Sequence, residues 1–114
     1  MAGHHHKAPR LEVVRTEDVP IQEVSGVCLR RGPGGVMSLV AIGDRAATAA
    51  WVVLPADDHA PLTWEIADLT GLPGAGLPEQ DPQLEAVCAD GAGRVLLLQE
   101  TPPRFAAPLA EACG

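Results

Sequence analysis

The sequence predicts an all-β fold of antiparallel hairpins, and three observations carry that reading. Apolar runs are short and bounded by turn residues, and the clearest alternates with period two. Gly (12) and Pro (11) are spread between those runs and make up about a fifth of the chain, against roughly 12% in an average protein. Asp90-Gly91 stands between two apolar runs, where Asp-Gly is among the strongest hairpin signals.

The elements follow in order. Residues 1–10 read as a flexible tail, and the His4-His5-His6 triplet in it is assigned no site. Leu11–Val19 predicts a strand, ended by Pro20. Val24–Leu29 and Val36–Ile42 flank Arg30-Arg31-Gly32-Pro33-Gly34-Gly35 and predict a hairpin over about 24–42, because Gly supplies positive φ and Pro presets a negative one. Thr48–Leu54 predicts a strand on its Trp51-Val52-Val53-Leu54 end. Leu62, Trp64 and Ile66 alternate with Thr63, Glu65 and Ala67, which predicts a half-buried strand with Trp64 inward and Glu65 outward. Residues 71–82 form a Gly- and Pro-rich loop, and Leu84–Ala89 with Arg94–Glu100 predict a second hairpin over about 84–99 in which Leu96 faces the core. The tail Arg104–Gly114 reads as a weak strand or a frayed helix. All of 11–114 is expected to form a single β-domain, consistent with typical domain lengths.

Charge and cysteines narrow the function classes. Eight basic against fifteen acidic residues give a net charge of −7. That balance argues against a nucleic-acid or anionic-membrane partner, and the Arg30-Arg31 spot is too small for nucleic acid. No run reaches the ~18 apolar residues of a membrane helix. Cys28, Cys88 and Cys113 have neither metal-finger nor disulfide-framework spacing, and Cys28 and Cys88 read as small buried hydrophobes. Reduced thiols and no export signal point to the cytoplasm.

The two outer hairpins can be laid over each other at an offset of 60 residues: Glu23-Val24-Ser25-Gly26-Val27-Cys28 on Gln83-Leu84-Glu85-Ala86-Val87-Cys88. Each runs into a Gly-rich turn and an apolar strand that ends on a carboxylate, Asp44 or Glu100. Four strand candidates followed by a restart match the layout of a β-propeller blade. Val24-Ser25-Gly26-Val27, and Leu84-Glu85-Ala86-Val87 with Asp90-Gly91-Ala92-Gly93-Arg94, resemble blades of phytase-like and SdiA-regulated β-propeller proteins, over roughly 23–100. Ala86 stands where that pattern usually has Gly. The resemblance implies blade-like units at about 23–70 and 83–100, one and a half blades where closure needs roughly 4–8. It also implies Glu85, Asp44 and Glu100 as candidate Ca²⁺ ligands, Ca²⁺ being the cofactor the family would bring. Their plain alternative is a solvated strand-end carboxylate.

No catalytic residue is assigned. His59 beside Asp57 and Asp58 has the composition of an acid/base pair but sits in a predicted hairpin loop. Cys28 lacks an evident base, Ser25-Gly26 is not a hydrolase elbow, and Gly71–Pro78 precedes no helix that would make it a phosphate loop. The expected function is a non-enzymatic propeller-related module for self-assembly or partner binding, with a Ca²⁺-dependent phosphoesterase-like fragment or oligomer as the alternative. Val36–Ile42 and Val95–Leu98 carry no charge and are apolar on both faces, which predicts a homo-oligomer, or a partner chain, that completes the sheet. Leu97 is the side chain expected at that contact.

Overall fold

A computed structural model describes residues 8–71, 76–78 and 80–100, together with the backbone of 104–106. The His triplet, Cys113, residues 107–114 and parts of the 71–82 loop lie outside the described residues. The fold is all-β, with every strand pair antiparallel. One sheet contains β1 (Val24–Arg31), β2 (Met37–Gly43), β3 (Thr48–Val53) and β4 (Glu65–Asp68) in that order. The second contains β5 (Leu84–Ala89), β6 (Val95–Gln99) and β7 (Arg104–Ala106), also in chain order. Both are meanders, and among the described residues no helix is long and apolar enough to cross a membrane.

The predicted hairpins form, with β1 paired to β2 and β5 to β6. Each starts in the same unusual way. Glu23 and Gln83, 60 residues apart, have positive φ (49° and 55°), and a register shift follows at once, at Val24/Gly26 in one hairpin and Leu84/Ala86 in the other. A bulge bends its strand and re-aims the side chains beside it. Here both bulges sit where the two sheets come together.

The sheets approach through β1 and β5, with β2 also reaching β5. A Cβ on Gly26 would stand 3.3 Å from Val87 N and 3.4 Å from the Ala86 Cα, so main chain lies nearly against main chain. Ser25 Oγ donates to Leu84 O across the gap at 2.6 Å. The entry to the second sheet is latched to the β2–β3 turn: Asp81 N–H donates to Arg45 O at 2.9 Å, Gln83 N–H to Asp44 O at 3.3 Å, and Ala46 bridges Gln80. Between the sheets lies one core of Val40, Ile42, Ala49, Leu84, Val87, Val95 and Leu97, joined by Leu69 and Leu77 of the β4–β5 connection. Small aliphatic side chains dominate it, and Trp51 packs against its margin.

Four expectations are corrected. Leu11–Val19 forms no strand, and Leu11, Val13 and Val14 stand 99%, 84% and 71% exposed; alternation gives strand propensity, but among the described residues no strand pairs with this segment. Trp64 precedes β4 and lines a cavity on the outer face of the first sheet rather than the core. Leu96 lies on the outer face of the second sheet, whereas its neighbours Val95 and Leu97 are buried. Leu97 is 2% exposed and belongs to the internal core, so it is unavailable to another chain. Glu65 is exposed, as expected.

The narrow passage at Gly26 leads to a direct expectation. Gly26→Leu should lower stability by about 1–3 kcal/mol, the usual cost of overpacking. Gly91→Ala, at a position with no atom within 4 Å of the added carbon, should change it far less. Urea unfolding of the two variants checks both.

Candidate functional site

The three carboxylates picked out by sequence do come together, and the backbone explains why. Gln83 N–H bonds Asp44 O, and Glu100 N–H bonds Gln83 O at 2.9 Å, so the last residues of both hairpins are drawn to the start of β5. Glu85 lies within the β5 bulge, close enough to Glu100 to share a hydrogen bond once either carboxyl is protonated, and feels the charge of Asp44. One oxygen of Asp44, Oδ1, is buried with no hydrogen-bond partner. The hydrogen bond and the negative charge of Glu100 hold the Glu85 carboxyl above its ordinary value of 4.5, and Asp44 adds to the rise. The arrangement can share a proton between two carboxyls. Among the described residues, however, no three His, Cys, Asp or Glu side chains are grouped so as to hold a metal ion.

The other sequence candidates separate. His59 is exposed, and its relation to Asp57 is a turn bond, its backbone N–H donating to Asp57 Oδ1 at 2.8 Å. Cys28 is half-buried against the core, but Cys88 is exposed, contrary to the expectation of a buried thiol. It falls on the outward side of β5 because the bulge sets Val87, not Cys88, toward the first sheet.

Sequence patterning gave no sign of a cavity of about 380 Å³ on the outer face of the first sheet. Val27, Leu39, Leu54, Leu62 and Trp64 supply apolar walls, and Arg15 and Asp58 stand at its polar side. Arg15 is held there by Glu17 Oε1, at 2.6 Å from its Nε, and by Asp58 O, at 2.6 Å from Nη1. The interaction spans 43 residues, a separation that no local pattern encodes.

Beyond this cavity the outer faces themselves are apolar. On the first sheet, Val27, Leu29 and Ile66 are 56%, 55% and 58% exposed, and the strand register places them on one side with Leu39, Ala41, Ala50 and Val52. On the second, Ala86, Cys88, Leu96 and Leu98 line an apolar hollow, and Leu98 is 47% exposed. Among the described residues the two-sheet stack therefore has a filled middle and partly exposed apolar side chains on both outer faces, while Ala41, Ala50 and Val52 on the first sheet's outer face are themselves buried.

A scan against protein-family models found no match, and searches of curated proteins and of solved structures found none either.

The carboxylate pair makes stability depend on pH in a defined direction. A folded-state value raised above the unfolded one means that the contribution of Glu85 is present below about 4.5 and is lost as pH rises through the raised value. Glu85→Gln, neutral throughout and still able to hydrogen-bond Glu100, should therefore be more stable than the parent at pH 7 and level with it near pH 4. Chemical denaturation at the two pH values measures the difference; an equal gain at both would remove the pair as its cause.

Proposed function

We propose that this chain is a non-enzymatic, blade-like β-module that completes its fold by stacking with further copies of itself. The observation that carries the reading is the apolar side chains that stay partly exposed on both outer faces among the described residues, Val27/Leu29/Ile66 on one and Ala86/Cys88/Leu96/Leu98 on the other. Large exposed apolar patches mark association surfaces. The two faces differ, so the contact is head-to-tail: the second sheet of one copy covers the first sheet of the next, and repetition closes a ring or extends a filament. The meander order, the matching bulges at an offset of 60 and the close approach of β1 to β5 support a propeller-like fan of sheets, in keeping with the sequence resemblance. Leu11, Val13 and Val14 add apolar surface that an assembly would cover.

The expected mass in solution is a multiple of 11.8 kDa, with each contact burying at least ~1,000 Å². Leu98→Lys and Leu29→Lys each remove one face and should give folded monomers by light scattering. Mixed together, they should form a dimer that grows no further, because one intact face of each kind remains. A parent chain that stays monomeric at high concentration would overturn the reading.

One observation favours a second reading, a Ca²⁺-dependent phosphoesterase-like fragment or oligomer: Glu85, Glu100 and Asp44 converge. Calcium takes 6–8 oxygen ligands, a number these three carboxylates reach in one copy only if every one of them binds through both oxygens. On the module reading, millimolar calcium leaves the melting temperature unchanged. A rise that disappears in Glu85→Gln would favour the phosphoesterase-like reading instead.

A further inference from the structure

The cavity of about 380 Å³ on the outer face of the first sheet is assembled from three separate parts of the chain. The sheet itself gives Val27 and Leu39, the β3–β4 connection gives Leu54, Leu62 and Trp64, and residues 15–19 run along the remaining side. Arg15 Nη1 donates to Asp58 O at 2.6 Å and so ties that last segment to the connection, although no strand pairing joins them. Ligand pockets are of this kind: roughly 300–1,000 Å³, walled mostly by apolar side chains, with a few polar groups at one side.

The charged groups decide which class of ligand fits. One cation, Arg15, stands among three carboxylates, Glu17, Asp57 and Asp58. The guanidinium is already committed, with Nε and Nη2 on Glu17 Oε1 and Nη1 on Asp58 O, which leaves it poorly placed to receive an anion. Asp57 Oδ1 accepts only the neutral His59 N–H, at 2.8 Å, and keeps its charge. Among the described residues nothing bonds the Asp58 carboxylate. The surplus beside the apolar walls is therefore negative. An apolar body with a protonated amine matches both parts: the body takes the place of water against the aliphatic walls, and the ammonium meets the carboxylates. The Trp64 indole suits such a molecule, since its face accepts apolar groups and cations alike.

We propose that this cavity binds a small hydrophobic amine, its apolar body among Leu54, Leu62 and Trp64 and its ammonium at the carboxylates of Asp57 and Asp58. Every lining residue belongs to one copy, so the site is complete in a monomer and stands or falls separately from the assembly reading.

Three probes with similar bodies separate the contributions: phenethylamine carries a cation, 2-phenylethanol a neutral group and phenylacetate an anion. Each is titrated at constant ionic strength into the ¹⁵N-labelled chain carrying Leu98→Lys, a change on the other sheet that keeps this face bare whether or not the parent assembles. The Trp64 indole N–H is the reporter, and Trp51, which lies at a different hollow, is the internal control. A saturable shift of Trp64 without Trp51 is expected. The amine should bind about two- to fivefold more tightly than the alcohol, the strength of a partly exposed ion pair, and phenylacetate should bind most weakly. Asp57→Asn combined with Asp58→Asn should bring the amine to the level of the alcohol and leave the alcohol unchanged. Shifts that stay linear or move both indoles alike would overturn the proposal. So would phenylacetate binding as tightly as the amine, or a preference for the amine that survives the double substitution.

Discussion

Main chain meets main chain at Gly26, and the rest of the architecture depends on that approach. With a hydrogen in place of a side chain there, β1 can lie close enough to β5 for Ser25 to reach Leu84 O. From that line the core fills outward, first with Val40, Ile42, Leu84 and Val87, then with Leu69 and Leu77. The core is small because its side chains are small, and apolar burial contributes only about 25 cal/mol per Å². Backbone proximity, the latch at Asp44–Ala46 and the close fit of aliphatic groups together take the place of large aromatic anchors.

Hairpins were legible because their signals are local. Gly32–Gly35 and Asp90–Gly93 carry the turn chemistry, and the apolar runs beside them have no competing helical period. Glu85, Asp44 and Glu100 were singled out through the propeller resemblance, and they meet because Gln83 is bonded both to Asp44 and to Glu100 through the main chain. Facing was not legible. A strand such as Val95-Leu96-Leu97-Leu98 is apolar on both sides, so period two says which residues share a side but not which side is inward. That assignment came from the bulge at Leu84/Ala86, and it put Leu97 inside and Leu96 outside. Trp64 failed for a related reason: its alternation with Ile66 is real, but both belong to the outward face. Leu11–Val19 has the composition of a strand but pairs with none among the described residues, and pairing is a tertiary fact.

Two kinds of surface are thereby kept apart. The broad sides of the stack are apolar, while the strand ends carry the charge, carboxylates at one end and arginines with glycine-rich turns at the other. Contacts that cover the sides leave both ends open to small molecules and ions. A net charge of −7 also discourages indiscriminate clumping, since like-charged copies repel.

Glu23 and Gln83 hold a left-handed backbone without being glycine, at matching places in the two hairpins. Such a conformation costs an L-residue about 1–2 kcal/mol, so the chain carries the same local strain twice. The strain is spent on direction: each left-handed residue swings its strand into the bulge that sets the two sheets against each other. The backbone kink is common to both hairpins while the side chains at the bulge, Ser25 and Glu85, differ in kind. Shape at the entry to each sheet is thus more constrained than chemistry, and two positions 60 residues apart hold unused stability that a change of residue type could release without moving the fold.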